Sequence, residues 1–80
     1  MFYTYIIRSK FDPIQTYIGY SSNLSQRVQY HNSGKCKHTA KYLPWELIFY
    51  AAFNTKKKAM DFEKYLKSHS GKAFASKRLL

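Results

Sequence analysis

Acidic side chains are scarce in this sequence. Four Asp and Glu stand against fourteen Lys and Arg, a formal net charge of +10. Such an imbalance points to a polyanionic partner, most simply nucleic acid. Cysteine is scarcer still. Cys36 has no second thiol, which excludes an internal disulfide and fits a reducing, cytoplasmic setting. No run of about 18 apolar residues occurs, so nothing here spans a bilayer and no membrane partner is expected. The opening "MFYTYIIRSK" has no basic segment before its short apolar run and does not read as a secretory signal. Cys and His never fall at zinc-ligand spacing, so a structural zinc is not expected. Repeats, low-complexity tracts and linkers are absent, and residues 1–80 are expected to form a single domain.

Aromatic residues are abundant, at 19% of the chain. A chain of this length buries only roughly 60% of the surface it exposes unfolded, so large rings suit its thin core. "FYTYIIR" (2–8) reads as a strand. Asp12-Pro13 signals a turn, and "TYIGY" (16–20) returns as the second strand of a hairpin. Ser22 is a candidate N-cap for a helix over 23–33, stopped by Gly34. A basic loop or short turn follows, then "WELIFYAAF" (45–53), which reads as a buried strand. Asn54 or Thr55 caps a helix to about Ser68, and Ser70 caps a last short helix. The order ββαβαα predicts an α+β fold, a three-stranded antiparallel sheet flanked by helices.

Helical geometry singles out a few charged residues. At about 100° per residue, Leu24, Arg27, Val28 and His31 share one face of the first helix. Arg27 is then costly to bury unpaired. A bound phosphate or an internal carboxylate would satisfy it, and so would snorkelling at the rim of the face. On the next long helix, Ala59, Phe62 and Leu66 form the inward stripe. Glu63 lies close to it and Asp61 faces out. Glu63 reads equally as a functional carboxylate or as an internal salt-bridge partner, for Arg27 among others. Lys56, Lys57 and Lys58 occupy the first turn of that helix, where the dipole disfavours cations. They read as functional surface or as a solvated basic face, with Lys35, Lys37 and Lys41 extending it. Trp45 reads as a core plug, and Cys36 and His38 as inert loop residues.

Tyr5, the "YIG" of Tyr17-Ile18-Gly19, Arg27 and His31 one helical turn apart, "YLPWELIFY" and "AMDFEKYLKS" with Glu63 occur in that order. Together they resemble the GIY-YIG nuclease superfamily, in particular its small single-domain members and the N-terminal nuclease domain of the DNA repair protein UvrC. The resemblance implies a metal-dependent endonuclease that cuts phosphodiester bonds in DNA. It implies Tyr5, Tyr17, Arg27, His31 and Glu63 as the catalytic set. Glu63 would hold Mg2+ or Mn2+, Arg27 would stabilise the phosphate, and a tyrosine would orient or deprotonate the attacking water. A free tyrosine, with a pKa near ~10, is a poor base at neutral pH and needs help from its surroundings. Gly19 would let backbone or substrate approach closely, and the six lysines named above would contact nucleic acid. Two departures stand out. The first motif reads Tyr3-Thr4-Tyr5, and Tyr20 replaces the lysine of UvrC-like members. The alternative is a non-catalytic basic nucleic-acid-binding module. An acidic-protein interaction domain is a third reading. A protein partner or dimer would have to supply sequence specificity.

Overall fold

A computed structural model describes all residues, Met1–Leu80. The hairpin forms as expected, from β1 (Phe2–Ser9) and β2 (Thr16–Ser21). Its turn closes through Gln15 N–H donating to the Asp12 carbonyl at 2.9 Å and Asp12 N–H donating to Ser9 Oγ at 2.8 Å. Helix α1 (Leu24–Asn32) follows, then α2 (Lys37–Ala40), β3 (Trp45–Phe53), α3 (Lys56–Lys67) and α4 (His69–Arg78). The architecture is α+β, and α2 is the single helical turn inside the expected basic loop. No helix is long and apolar enough to cross a membrane.

The sheet is antiparallel with strand order β2-β1-β3. That order corrects one expectation. The apolar run "WELIFYAAF" reads as a buried strand, but β3 is an edge, with Leu47 and Tyr50 exposed. The central, buried strand is β1. Its side chains alternate between faces, as a pleated strand requires. Tyr5 and Ile7 pack with Trp45, Leu24 and Val28 under α1. Ile6 packs with Leu66, Ala75 and Phe62 under α3 and α4. Each fully buried aliphatic side chain contributes roughly 1.5–3 kcal/mol.

Two helix starts differ from expectation. Asn23, not Ser22, caps α1, its Oδ1 accepting from Gln26 N–H at 3.1 Å. Ser21 Oγ both accepts from Asn23 N–H and donates to the Asn23 carbonyl, which tightens residues 21–23 into a turn and delays the helix. Ser68, not Ser70, caps α4. Its hydroxyl donates to the Tyr65 carbonyl and accepts from Gly71 N–H, so one residue ends α3 and begins α4. Thr55 caps α3. Gly34 has φ of +80°, a left-handed conformation that suits glycine at the end of α1.

Long-range polar bonds then fix the layers. Thr4 Oγ1 donates to the Ala59 carbonyl at 2.6 Å, tying β1 to α3 one turn before Glu63. The Asn32 side-chain amide pairs with both backbone groups of Trp45, at 2.6 and 3.0 Å, locking the end of α1 to β3. Trp45 plugs the core at 4% exposure, and its indole N–H donates to the Thr39 carbonyl at 2.7 Å.

Candidate active site

Tyr5 lies at the centre of the α1 face of the sheet and is fully buried. The register pairs it with Gly19 on β2. A Cβ built on Gly19 would lie 2.5 Å from the Tyr5 hydroxyl oxygen and 2.7 Å from Cζ. The close approach that Gly19 allows here is that of the Tyr5 ring.

The Tyr5 hydroxyl reaches His31 Nε2 at 2.8 Å, and His31 Nδ1 lies 3.1 Å from Thr39 Oγ1. His31 is fully buried, so it acts on its surroundings through Tyr5 and Thr39 rather than by touching solvent. Burial, with Arg27 nearby, holds its imidazole below the usual range and favours the neutral ring. Burial likewise pushes the Tyr5 phenol up to about 12, against the pull of the Arg27 guanidinium. The charges of Tyr17 and Glu63 push it in the same upward direction. The guanidinium lies beside the phenol without forming a well-shaped hydrogen bond. Its Nε is buried without a partner, and its plane sits 4.8 Å over the Tyr30 ring.

Tyr17 projects from the same face at the edge strand and is half-buried. Its ring lies 4.9 Å from His31 and 6.0 Å from the Lys67 ammonium. Lys67 in turn donates to Glu63 Oε2 at 3.2 Å, with the Glu63 side chain only 19% exposed. Glu63 is thus paired along its own helix with Lys67, not with Arg27. The structure brings Tyr5, Tyr17, Arg27 and His31 together on one side of β2, and Glu63 is close enough for its charge to act on Tyr5.

Arg27 opens onto a hollow of about 350 Å³ lined by Phe2, Tyr20, Ser21, Ser22 and Lys56. Lys56 stands 6.0 Å from the Tyr20 ring, so α3 brings a cation to the residue that replaces the UvrC-like lysine. Of the six lysines singled out in the sequence, Lys56 alone borders this hollow. Lys57 is paired with Asp61 at 2.9 Å, which raises its pKa, and Lys58 is exposed. Lys35, Lys37 and Lys41 are exposed in and around α2, beyond the other end of α1. A larger groove, between Tyr3, Leu24, Val28 and Tyr50, contains none of the five candidate residues.

No three His, Cys, Asp or Glu side chains cluster in a metal-binding group. One hard carboxylate is present, and only Oε2 of Glu63 is engaged. That donor chemistry fits a hydrated divalent cation of the magnesium type, which accepts one or two carboxylates and keeps several waters. It does not fit zinc.

Thr39, Lys67 and Asn32 were not singled out by sequence. Lys67 carried a signal, its i,i+4 spacing from Glu63. Thr39 carried none, because its partner depends on how the 33–44 segment folds back.

Comparison with known proteins identifies the family. Residues 1–78 match the family described as the GIY-YIG catalytic domain. The chain is 48% identical over 52 residues to the UPF0213 protein YazA of Bacillus subtilis, covering 64% of this chain and 52% of that protein. It is 44% identical over 52 residues to a UPF0213 protein of Streptococcus pneumoniae, covering 64% and 52% respectively. It is 34% identical over 65 residues to a structure-specific endonuclease subunit SLX1 homolog of Giardia intestinalis, covering 76% of this chain and 18% of that protein. The chain thus spans about half the length of its UPF0213 relatives. With the motif tyrosines, Arg27 and His31 gathered beside β2 and the family match running through residue 78, this chain belongs to the GIY-YIG family.

Proposed function

We propose that this chain is a divalent-metal-dependent endonuclease that hydrolyses phosphodiester bonds in DNA. The observation that carries the reading is the grouping of Tyr5, Tyr17 and His31 in mutual contact, with the Arg27 guanidinium beside Tyr5. The SLX1 homolog, named a structure-specific endonuclease subunit, supports the same reaction class, and its being a subunit supports a protein partner as the source of specificity. Lys56, Lys57, Lys58, Lys35, Lys37 and Lys41 would contribute the long-range attraction for the DNA backbone.

Phosphodiester cleavage needs a placed nucleophile, neutralised phosphate charge and help for the departing oxygen. Arg27 is donor-only and planar, so its fork suits two phosphate oxygens in the hollow beside Lys56. Tyr5 is a poor base, because burial holds its phenol neutral and its hydroxyl is already engaged with His31 Nε2. Its part is to fix Arg27 and His31. Tyr17 is the half-exposed phenol, so it is the tyrosine that meets and orients the attacking water. Glu63 would hold Mg2+ or Mn2+, which supplies Lewis-acid stabilisation of the phosphate and leaving oxygen when bound.

Nicking of supercoiled plasmid, with and without Mg2+ or Mn2+, tests this. E63Q should lose at least about a hundredfold in rate while its fold is kept. Equal nicking by E63Q and wild type would remove Glu63 from the mechanism. The Lys67–Glu63 pair favours a second reading, a non-catalytic binding module in which that carboxylate is structural. In that case wild type nicks no duplex, branched or single-stranded DNA, yet binds with a log–log salt slope of about −0.9 per phosphate neutralised.

A further inference from the structure

We infer that Thr39 is a positioning residue that fixes which nitrogen of His31 carries the proton, and through it the direction of the Tyr5 hydrogen bond. The inference deepens the endonuclease reading, on which its activity arm rests. The argument is one of donors and acceptors. Tyr5 is fully buried, so its hydroxyl proton needs an acceptor inside the protein. The neighbouring guanidinium of Arg27 offers only donors. The one acceptor in bonding reach is His31 Nε2, at 2.8 Å. Nε2 must therefore carry the lone pair, and the neutral ring must hold its proton on Nδ1.

That proton points at Thr39 Oγ1, 3.1 Å away, so the threonine accepts. Its own hydroxyl proton then has to leave in another direction, and the Cys36 carbonyl lies at 3.5 Å for it. The opposite arrangement, with Thr39 donating to Nδ1, would place an Nε2–H against the phenol. Two donors would then meet at the Tyr5 oxygen and the phenol proton would be stranded. Thr39 is itself held firmly. It is 1% exposed, its N–H is bonded to the Cys36 carbonyl, and its carbonyl takes the Trp45 indole. A proton leaving Tyr5 would have only Nε2 to go to. With Thr39 in place the phenol stays a donor to His31 and turns its lone pairs to Arg27.

The test is long-range ¹H–¹⁵N NMR of the histidine ring in wild type, T39S and T39V, above the imidazole titration range, together with plasmid nicking. Wild type and T39S should show the Nδ1–H form of His31. T39V keeps the volume but cannot accept, so either tautomer then leaves one buried proton unpaired, the ring is no longer held to a single form and a measurable share should move to Nε2–H; nicking should fall by about tenfold, with T39S restoring it. A wild-type ring protonated on Nε2 overturns the inference. So does a folded T39V whose ring stays protonated on Nδ1. If none of the three proteins nicks DNA, the endonuclease reading falls, and the ring spectra still decide the Thr39 assignment by themselves.

Discussion

Gly19→Ala probes the contact on which the Tyr5 position depends. The new methyl would sit 2.5 Å from the phenol oxygen, 2.7 Å from Cζ and 3.1 Å from Cε1, where ordinary contact begins near 3.4 Å. Tyr5 would have to retreat by roughly 1 Å, and a fully buried ring on the central strand has nowhere to go. Overpacking of this kind costs about 1–3 kcal/mol. Against it stands the gain from removing a glycine inside a strand, roughly 0.5–1 kcal/mol. At the centre of these ranges the clash wins, for a net loss of about 1 kcal/mol, which in a domain of this size lowers Tm by about 4–8 °C. Urea and thermal unfolding measure it. A double-mutant cycle with Y5F sharpens the test, because Y5F removes the nearest atom while leaving Cζ in place. G19A should cost at least about 0.5 kcal/mol less in the Y5F background. If G19A is neutral or stabilising, or if the two substitutions are additive, the Tyr5 ring does not lie over Gly19.

Two further outcomes concern pH. The folded protein holds the His31 pKa below 6.5, so on acidification the unfolded chain binds a proton that the folded chain refuses. Stability should be full above about 6.5 and fall as pH drops through the lower folded value, by up to about 1.36 kcal/mol per unit, and H31Q should lack that component in urea titrations. On the alkaline side the Tyr5 phenol is held at about 12 against an ordinary 10.0, so the unfolded chain loses its proton first. Stability should fall as pH rises between those values, and Y5F should fall less steeply over the same window in parallel unfolding curves.

The elements were largely legible because their patterns are strong. β1 and β2 are aromatic and β-branched, and α3 carries its Ala59, Phe62 and Leu66 stripe at helical spacing. The inward face of α1 was legible for the same reason, since Leu24 and Val28 pack where the periodicity puts them. What failed depends on tertiary context. An apolar run cannot reveal which strand is central, so β3 read as buried when its outer edge is open. Helix starts slipped by one or two residues wherever several serines competed, because the cap is chosen by the turn before it. At the candidate site, Arg27 read as a buried cation in need of a partner. The structure surrounds it with Tyr5, Tyr30 and the hollow beside Lys56, and leaves its Nε without one. The burial of His31 was visible only as a position on an apolar face. Its two hydrogen bonds need the fold-back of residues 33–44.

The alternation of β1 has a mechanical consequence. Thr4 grips the α3 backbone one turn ahead of Glu63, while the adjacent Tyr5, on the opposite face, bears on His31 and lies against the Arg27 guanidinium. One rigid, doubly paired strand thus serves as the common datum for a carboxylate on one layer and a guanidinium on the other. The span between them is set when the sheet forms, so under the proposed function an incoming phosphate would meet a gauge already cut to size and would spend little of its binding in assembling it.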